Sequence, residues 1–178
     1  MRILVEAVGS LTSNFLIKAI KESGNLCIAT DASLTSVGKF LADEFYQVPL
    51  AIDDGYLDFV FDLVKKQNID LVIPTLDDGL IKWAQLRDEL DVNDVKIALS
   101  PTETLNICLD KWNIYQCFKT NGIPTPKTSL NKEYPLVKPR NGRGGSGVII
   151  TNEDIEMKDM ISQEVLHGTE YTIDVFCN

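Results

Sequence analysis

The sequence predicts an α/β chain in two parts: a doubly wound, Rossmann-like parallel sheet, followed by a smaller α+β unit with antiparallel strands. Three observations predict it. From Arg2 to Leu99, short continuous apolar runs alternate with helix-sized amphipathic segments, which is the pattern of a parallel sheet covered on both faces. After Pro126 that alternation stops, and short strand-like runs follow one another around a glycine-rich loop. Charge divides the chain too: residues 1–104 carry 9 basic against 17 acidic side chains, a net of −8, whereas residues 105–178 carry 8 against 9. The expected units are 1–102 and 103–178.

Taken in order, residues 2–8 form a buried strand, and Asn14–Glu22 a helix with Phe15, Leu16, Ala19 and Ile20 on its inner stripe. Ser23-Gly24-Asn25 stops it, and Leu26–Thr30 is a second strand ending at Asp31. Leu57–Lys66 is helical with Phe61 and Val64 inward, Asp70–Pro74 a strand, Leu80–Leu90 a helix and Val95–Leu99 a strand. Ser100-Pro101-Thr102-Glu103 has the form of a capping box, and the helix it opens is expected to run to about Asn121, where Gly122 stops it. Beyond Pro126, Tyr134–Lys138 and Val148–Thr151 are strands flanking a loop. Asn152–Met160 suits a short helix or turn, Ile161–Leu166 is strand-like, and Glu170–Phe176 alternates as a last strand.

Composition excludes several classes. With 178 residues, 44% apolar and 24% charged, the chain is globular rather than disordered, and holds one ordinary domain or a domain with part of a second. A net charge of −9 argues against a nucleic-acid partner. No apolar run approaches the ~18 residues of a membrane span, so no membrane partner is expected. The four cysteines, Cys27, Cys108, Cys117 and Cys177, lack CxxC spacing and have only His167 to join them. That pattern suits reduced thiols in a cytoplasmic protein rather than a zinc site.

The strongest chemical signal is Lys138-Pro139-Arg140-Asn141-Gly142-Arg143-Gly144-Gly145-Ser146-Gly147. Four glycines allow close approach of backbone to a ligand, and their N–H groups can form an anion-binding concavity. Lys138, Arg140 and Arg143 have no acidic neighbour between Tyr134 and Asn152, a setting for a polyanion such as a triphosphate. Gly142-x-Gly144-x-x-Gly147 matches the dinucleotide pattern literally, but a strand follows it where a helix is required. A P-loop is rejected because Val148 stands where its lysine must be. The first turn, Ala7–Asn14, has one glycine where a dinucleotide site needs three, which leaves Asp31 a weak ribose ligand.

Four stretches together resemble the ATP-grasp superfamily, and most closely carbamoyl-phosphate synthase large-chain-like proteins: Leu109-Asp110-Lys111-Trp112, Gly122–Pro126, Pro135–Arg140 with its loop, and Ser162–Val175. The first half resembles the doubly wound domain that commonly precedes such a module. The resemblance implies ATP as the nucleotide, with Lys111 and Lys138 on its phosphates. Arg143, Gly144, Gly145, Ser146 and Gly147 would close over the β- and γ-phosphates. Glu164, Val165 and Leu166 would form the hinge against adenine, the Glu164 carbonyl accepting and the Leu166 N–H donating, and Glu170 would hold the ribose. Thr75, Asp77 and Asp78 are weaker substrate-side candidates; the two acids cap the next helix equally well. His167 falls where the family pattern varies.

The implied reaction is carboxylate–amine or carboxylate–ammonia ligation through an acyl phosphate. Its partners would be a small-molecule carboxylate and an amine or ammonia, and a homodimer is compatible with it. The family's Mg²⁺ ligands, a Glu followed later by Glu-x-Asn, are absent from this sequence. The chain is therefore expected to be the N-terminal fragment of a protein of roughly 300 residues, inactive alone, with Mg²⁺ bound by the remaining part. The competing expectation is a non-catalytic nucleotide-binding or interaction module of the same fold.

Overall fold

A computed structural model describes residues 1–173 and 175, and the chain divides into two compact units, Met1–Asn106 and Ile107–Asn178. The first unit contains β1 (Arg2–Val5), α1 (Ser13–Glu22), β2 (Leu26–Asp31), β3 (Glu44–Gln47), α2 (Tyr56–Lys66), β4 (Leu71–Ile73), α3 (Asp77–Gln85), α4 (Arg87–Val92) and β5 (Lys96–Ile97). All its strands are parallel, in the order β3-β2-β1-β4-β5. This is the doubly wound sheet expected.

Alternation along each strand feeds two cores. Leu4, Ile28 and Val72 face one side and pack with Tyr56, Val60, Val64, Trp83 and Leu90 from α2, α3 and α4. Ile3, Val5, Cys27 and Ala29 face the other and pack with Ile17 and Ile20 of α1. Successive strand residues point to opposite faces, so a run with no polar break is needed to serve both.

Several expectations need correction. The buried stripe of α1 is Ser13, Ile17 and Ile20, while Phe15 is 78% exposed. Hydrophobicity alone points Phe15 inward, but the helix turns its Ser13–Ile17–Ile20 stripe to the sheet and leaves Phe15 in solvent. The helix expected over Leu80–Leu90 is two, α3 and α4, which meet at Leu86. The long helix expected from Ser100 is also two, α5 (Thr102–Cys108) and α6 (Lys111–Thr120), because Asp110 adopts an extended conformation and caps α6.

The second unit contains α6 and a four-stranded antiparallel sheet. Its strands are β6 (Thr128–Ser129), β7 (Leu136–Pro139), β8 (Ile149–Ile150) and β9 (Met160–Gln163), in the order β6-β9-β7-β8. β7 and β8 form the expected hairpin around the glycine loop. Residues 152–159 are irregular with a turn at Lys158-Asp159 and contain no helix, and residues 164–173 and 175 are irregular rather than a last strand; Asp174 and Phe176 of that expected strand lie outside the described residues. Among the described residues no helix is long and apolar enough to cross a membrane. Cys27, Cys108 and Cys117 are free thiols, and Cys177 lies outside the described residues.

Candidate functional site

In the second unit the site is organised by Asp110. Its extended backbone lets the carboxylate reach forward, where Oδ1 accepts from the amides of Trp112 at 2.8 Å and Asn113 at 3.3 Å. These are N–H groups that the first turn of a helix leaves unpaired, and such a cap is worth about 1 kcal/mol. The same carboxylate receives a two-pronged guanidinium contact from Arg140, Nε to Oδ1 at 3.2 Å and Nη2 to Oδ2 at 2.6 Å. Burial alone would raise the Asp110 pKa, but Arg140 and the two amides outweigh it and hold the carboxyl below its ordinary 3.8. One side chain thus ties the start of α6 to the strand that leads into the glycine loop.

That tie places Lys111. Its amide donates to the Arg140 carbonyl at 3.0 Å, and its ammonium donates to the carbonyls of Arg140 at 3.2 Å and Gly142 at 2.9 Å. Lys138, on β7, donates to Gln163 Oε1 at 2.8 Å. Burial, and then the nearby Lys111 charge, lower the Lys138 pKa. Among the described residues neither lysine forms an ion pair. Two ammonium groups that press on one another with only neutral acceptors make a place where an anion is favoured. Arg140 differs, since Asp110 takes up its charge. Arg143 lies in the loop as expected and has interactions of its own.

The loop itself fits anion binding. Residues 141–150 are exposed, and Gly144, Gly145 and Gly147 have φ of 63°, 73° and 72°. A Cβ on Gly147 would stand 2.9 Å from Pro139 Cγ, so glycine is required there by contact as well as by conformation. The Ser146 amide bonds to the Arg143 carbonyl and the Val148 amide to the Gly145 carbonyl, each at 3.3 Å. Among the described residues, the amides of Gly144, Gly145 and Gly147 have no such partner. Successive amides in left-handed turns form a concavity suited to phosphate oxygens.

The other expected nucleotide contacts continue from β9. The Glu164 amide donates to the Lys127 carbonyl at 3.0 Å, and its side chain accepts from the Lys127 amide at 2.8 Å. Both anchor residue 164, the expected hinge, to the chain before β6, and among the described residues the Glu164 carbonyl accepts no backbone hydrogen bond. Val165 is half-buried, Leu166 is exposed, and Glu170 is exposed on irregular backbone. His167 is exposed as well.

In the first unit, a cavity of about 320 Å³ lies beyond the ends of β1 and β2, lined in part by Glu6, Ser10, Asp31, Tyr56 and Leu76. Asp31 accepts from the Gly9 amide at 2.7 Å and from the Ser33 amide at 2.8 Å. This acid closes its own loop, which explains a β2-terminal carboxylate without a bound ribose. Thr75 donates to the Glu6 carbonyl at 2.5 Å. Asp77 and Asp78 are exposed in the first turn of α3, whose N-cap residue Leu76 makes no side-chain cap, and Asp78 has interactions of its own. Glu6 is buried at 3% exposure and takes a hydrogen bond from the Tyr56 hydroxyl. Burial raises its pKa above the ordinary 4.5, against the opposing pull of Tyr56 and Trp83. A Cβ on Gly79 would come within 2.7 Å of Glu6 Oε1, so α3 can approach this carboxyl only with glycine there.

Comparison with known families agrees with this division. The PylC-like, N-terminal domain matches residues 3–98, more than half of the chain, and the ATP-grasp domain matches residues 108–178. The chain belongs to the PylC-like N-terminal domain family, joined here to an ATP-grasp domain. Three solved structures show the same fold. N5-carboxyaminoimidazole ribonucleotide synthetase from Thermotoga maritima is 25% identical with a TM-score of 0.65, covering 92% of this chain and 46% of that one. L-amino acid ligase from Bacillus licheniformis is 16% identical with a TM-score of 0.72, covering 94% and 44%. The biotin carboxylase domain of Hydrogenobacter thermophilus 2-oxoglutarate carboxylase, a dimer in complex with MgADP, ADP and bicarbonate, is 21% identical with a TM-score of 0.62, covering 84% and 37%. The chain spans less than half the length of each.

In this ATP-grasp domain the structure brings Lys111, Lys138 and the glycine loop to one end of the sheet around β7. The sequence marks Arg140 as a cation for a polyanion, whereas the structure gives its charge to Asp110, and it does not mark Asp110, Gln163 or Thr128 as residues that hold the lysines. The extended residue before Lys111 was the available signal for Asp110, because an Asp ahead of a helical run is a standard cap. Among the described residues no group of three His, Cys, Asp or Glu could hold a metal ion, and the glycine loop carries cations rather than carboxylates.

Proposed function

We propose that the ATP-grasp domain of this chain binds ATP, and that the protein acts as a carboxylate–amine or carboxylate–ammonia ligase of the carbamoyl-phosphate-synthase-like kind. The single observation that carries this is the Lys111–Lys138 pair. Among the described residues the two ammonium groups have no carboxylate counter-ion, and they stand beside a loop whose Gly144, Gly145 and Gly147 amides have no backbone partner. Lysine suits the role as a compact charge that contacts phosphate from several directions.

In this reading the triphosphate lies along the loop. Lys111 and Lys138 neutralise phosphate oxygens, the amides of Gly144, Gly145 and Gly147 with Arg143 and Ser146 close over the β- and γ-phosphates, and adenine meets the Glu164 carbonyl and Leu166 amide beside Val165. Glu170 accepts from the ribose hydroxyls. A substrate carboxylate oxygen attacks the γ-phosphorus and ADP leaves with the bridging oxygen. An amine or ammonia then attacks the acyl carbon, phosphate leaves with its oxygen, and the nitrogen loses a proton. The chain contributes positioning and charge neutralisation rather than a covalent nucleophile. Thr75, Asp77 and Asp78 at the end of β4 are the proposed substrate side.

Titration of ATP into the parent chain and Lys138→Ala tests the assignment. Loss of one charge-assisted contact is expected to weaken binding by roughly 1.5–3 kcal/mol, about 10- to 150-fold. Equal affinity in the two proteins would refute it.

A further inference from the structure

We propose that Gln163 and Thr128 are positioning residues that hold the Lys138 ammonium in place without cancelling its charge. The proposal rests on the ATP reading for its purpose and on the sheet geometry for its content. β9 lies between β6 and β7, and Gln163 is the cross-strand partner of Thr128 on one side and Leu136 on the other. Lys138 is two residues beyond Leu136, so it points to the same face and its stem reaches Gln163 diagonally.

The hydrogen bonds permit one orientation of the amide. Thr128 Oγ1 donates its single proton to the Pro126 carbonyl at 2.9 Å. It can therefore meet Gln163 only as an acceptor, and Gln163 Nε2 donates to it at 2.9 Å. The amide oxygen is left facing Lys138, whose ammonium donates to it at 2.8 Å. Reversing the amide would set its N–H donors against the Lys138 ammonium and its oxygen against the Thr128 oxygen, whose proton is already given to Pro126. Thr128 is buried at 6% exposure, which fixes the start of the relay.

The choice of a neutral acceptor has a consequence. Arg140, two residues further and just past the end of β7, is held by a carboxylate and its charge is taken up. Lys138 is held by an amide, so its full charge stays available to an anion, while burial and Lys111 both press it toward the neutral form. A glutamate at position 163 would hold Lys138 equally well and defeat the purpose.

The test uses the 178-residue chain with Gln163→Met, Gln163→Glu, Thr128→Val and Thr128→Ser. Without nucleotide, acetic anhydride modification of Lys138 is followed by peptide mass spectrometry. The rate is expected to rise several-fold in Gln163→Met and Thr128→Val, and to stay at the parent value in Thr128→Ser, which restores the acceptor. In titrations, ATP affinity is expected to fall about tenfold in Gln163→Met and in Gln163→Glu, with adenosine affinity unchanged. Unchanged Lys138 reactivity in both Gln163→Met and Thr128→Val would overturn the proposal. So would a parallel loss of ATP and adenosine binding, which would place Gln163 at the base instead. If the parent bound neither nucleotide the ATP reading would fail, and the reactivity arm would still decide whether the relay exists. Should Gln163→Met not fold, the Thr128→Val and Thr128→Ser pair carries the same comparison.

Discussion

The two units achieve order by different means. Met1–Asn106 buries an apolar cluster against each face of its parallel sheet, with Trp83, Tyr56 and Leu4 almost wholly enclosed. Among the described residues of Ile107–Asn178, the buried apolar side chains are Val137 and Ile161, and beside them Thr128, Ser129 and Ser162 are buried polar groups. Ser162 Oγ donates to the Asn131 carbonyl and accepts from the amides of Glu133 and Tyr134. The first unit is held by area removed from water, the second largely by directed polar contacts. Directed contacts place charges to within a bond length, which is what a phosphate site needs and an apolar core does not supply.

This contrast can be broken most forcefully at Trp83. Trp83→Ala is expected to cost about 3–5 kcal/mol in chemical denaturation, through lost burial and a cavity. A loss under 1 kcal/mol would mean that the first unit does not depend on that core.

Asp110→Ala should be the next largest effect and the sharpest in the second unit. It removes a helix cap and a charged two-pronged contact, together about 2–4 kcal/mol. Because the folded carboxyl sits below its ordinary 3.8, its contribution is complete above that value and is lost as pH falls through the folded pKa. The stability gap between the parent and Asp110→Asn should therefore close on acidification below pH 3.8, and a gap independent of pH would contradict the assignment.

Glu6 sharpens the comparison from inside the first unit. Burial raises its pKa, so the fold favours the protonated form and loses stability as pH rises from 4.5 through the folded value. Glu6→Gln, which keeps an acceptor for Tyr56, is expected to stabilise by on the order of 1 kcal/mol at pH 8 and to make no difference at pH 4. Denaturation midpoints at the two pH values check this.

The smallest effect expected is at the surface of α1. Phe15→Ser should change stability by no more than about 0.5 kcal/mol, whereas Ile17→Ala on the buried stripe should cost about 2–5 kcal/mol. Equal losses would restore the stripe expected from hydrophobicity.

These cases also show what the chain makes legible. Strands β1, β2 and β4 announce themselves because a parallel strand buried on both faces must be apolar throughout. β3 does not: Glu44-Phe45-Tyr46-Gln47 is an edge strand, half-buried, and Glu44 is there to meet Arg2 at 2.9 Å. Apolar periodicity continues across Leu86 and across Leu109-Asp110, so the breaks in those two helices are invisible to it. The second break is decided by two local hydrogen bonds, donated by the Trp112 and Asn113 amides of α6 to Asp110. The glycine loop and its cations were legible from composition alone. The relay through Gln163 was not, because it depends on the sheet order β6-β9-β7, and no neighbouring residue in the chain reveals which strands flank β9.

The central claim is that the glycine hairpin grips the phosphate chain of ATP. Backbone amide NMR of the chain during titration with ATP and with adenosine tests it directly. ATP is expected to shift the amides of Gly144, Gly145 and Gly147, and adenosine to leave them in place. Equal perturbation by both ligands, or shifts under ATP that spare these three amides, would contradict it.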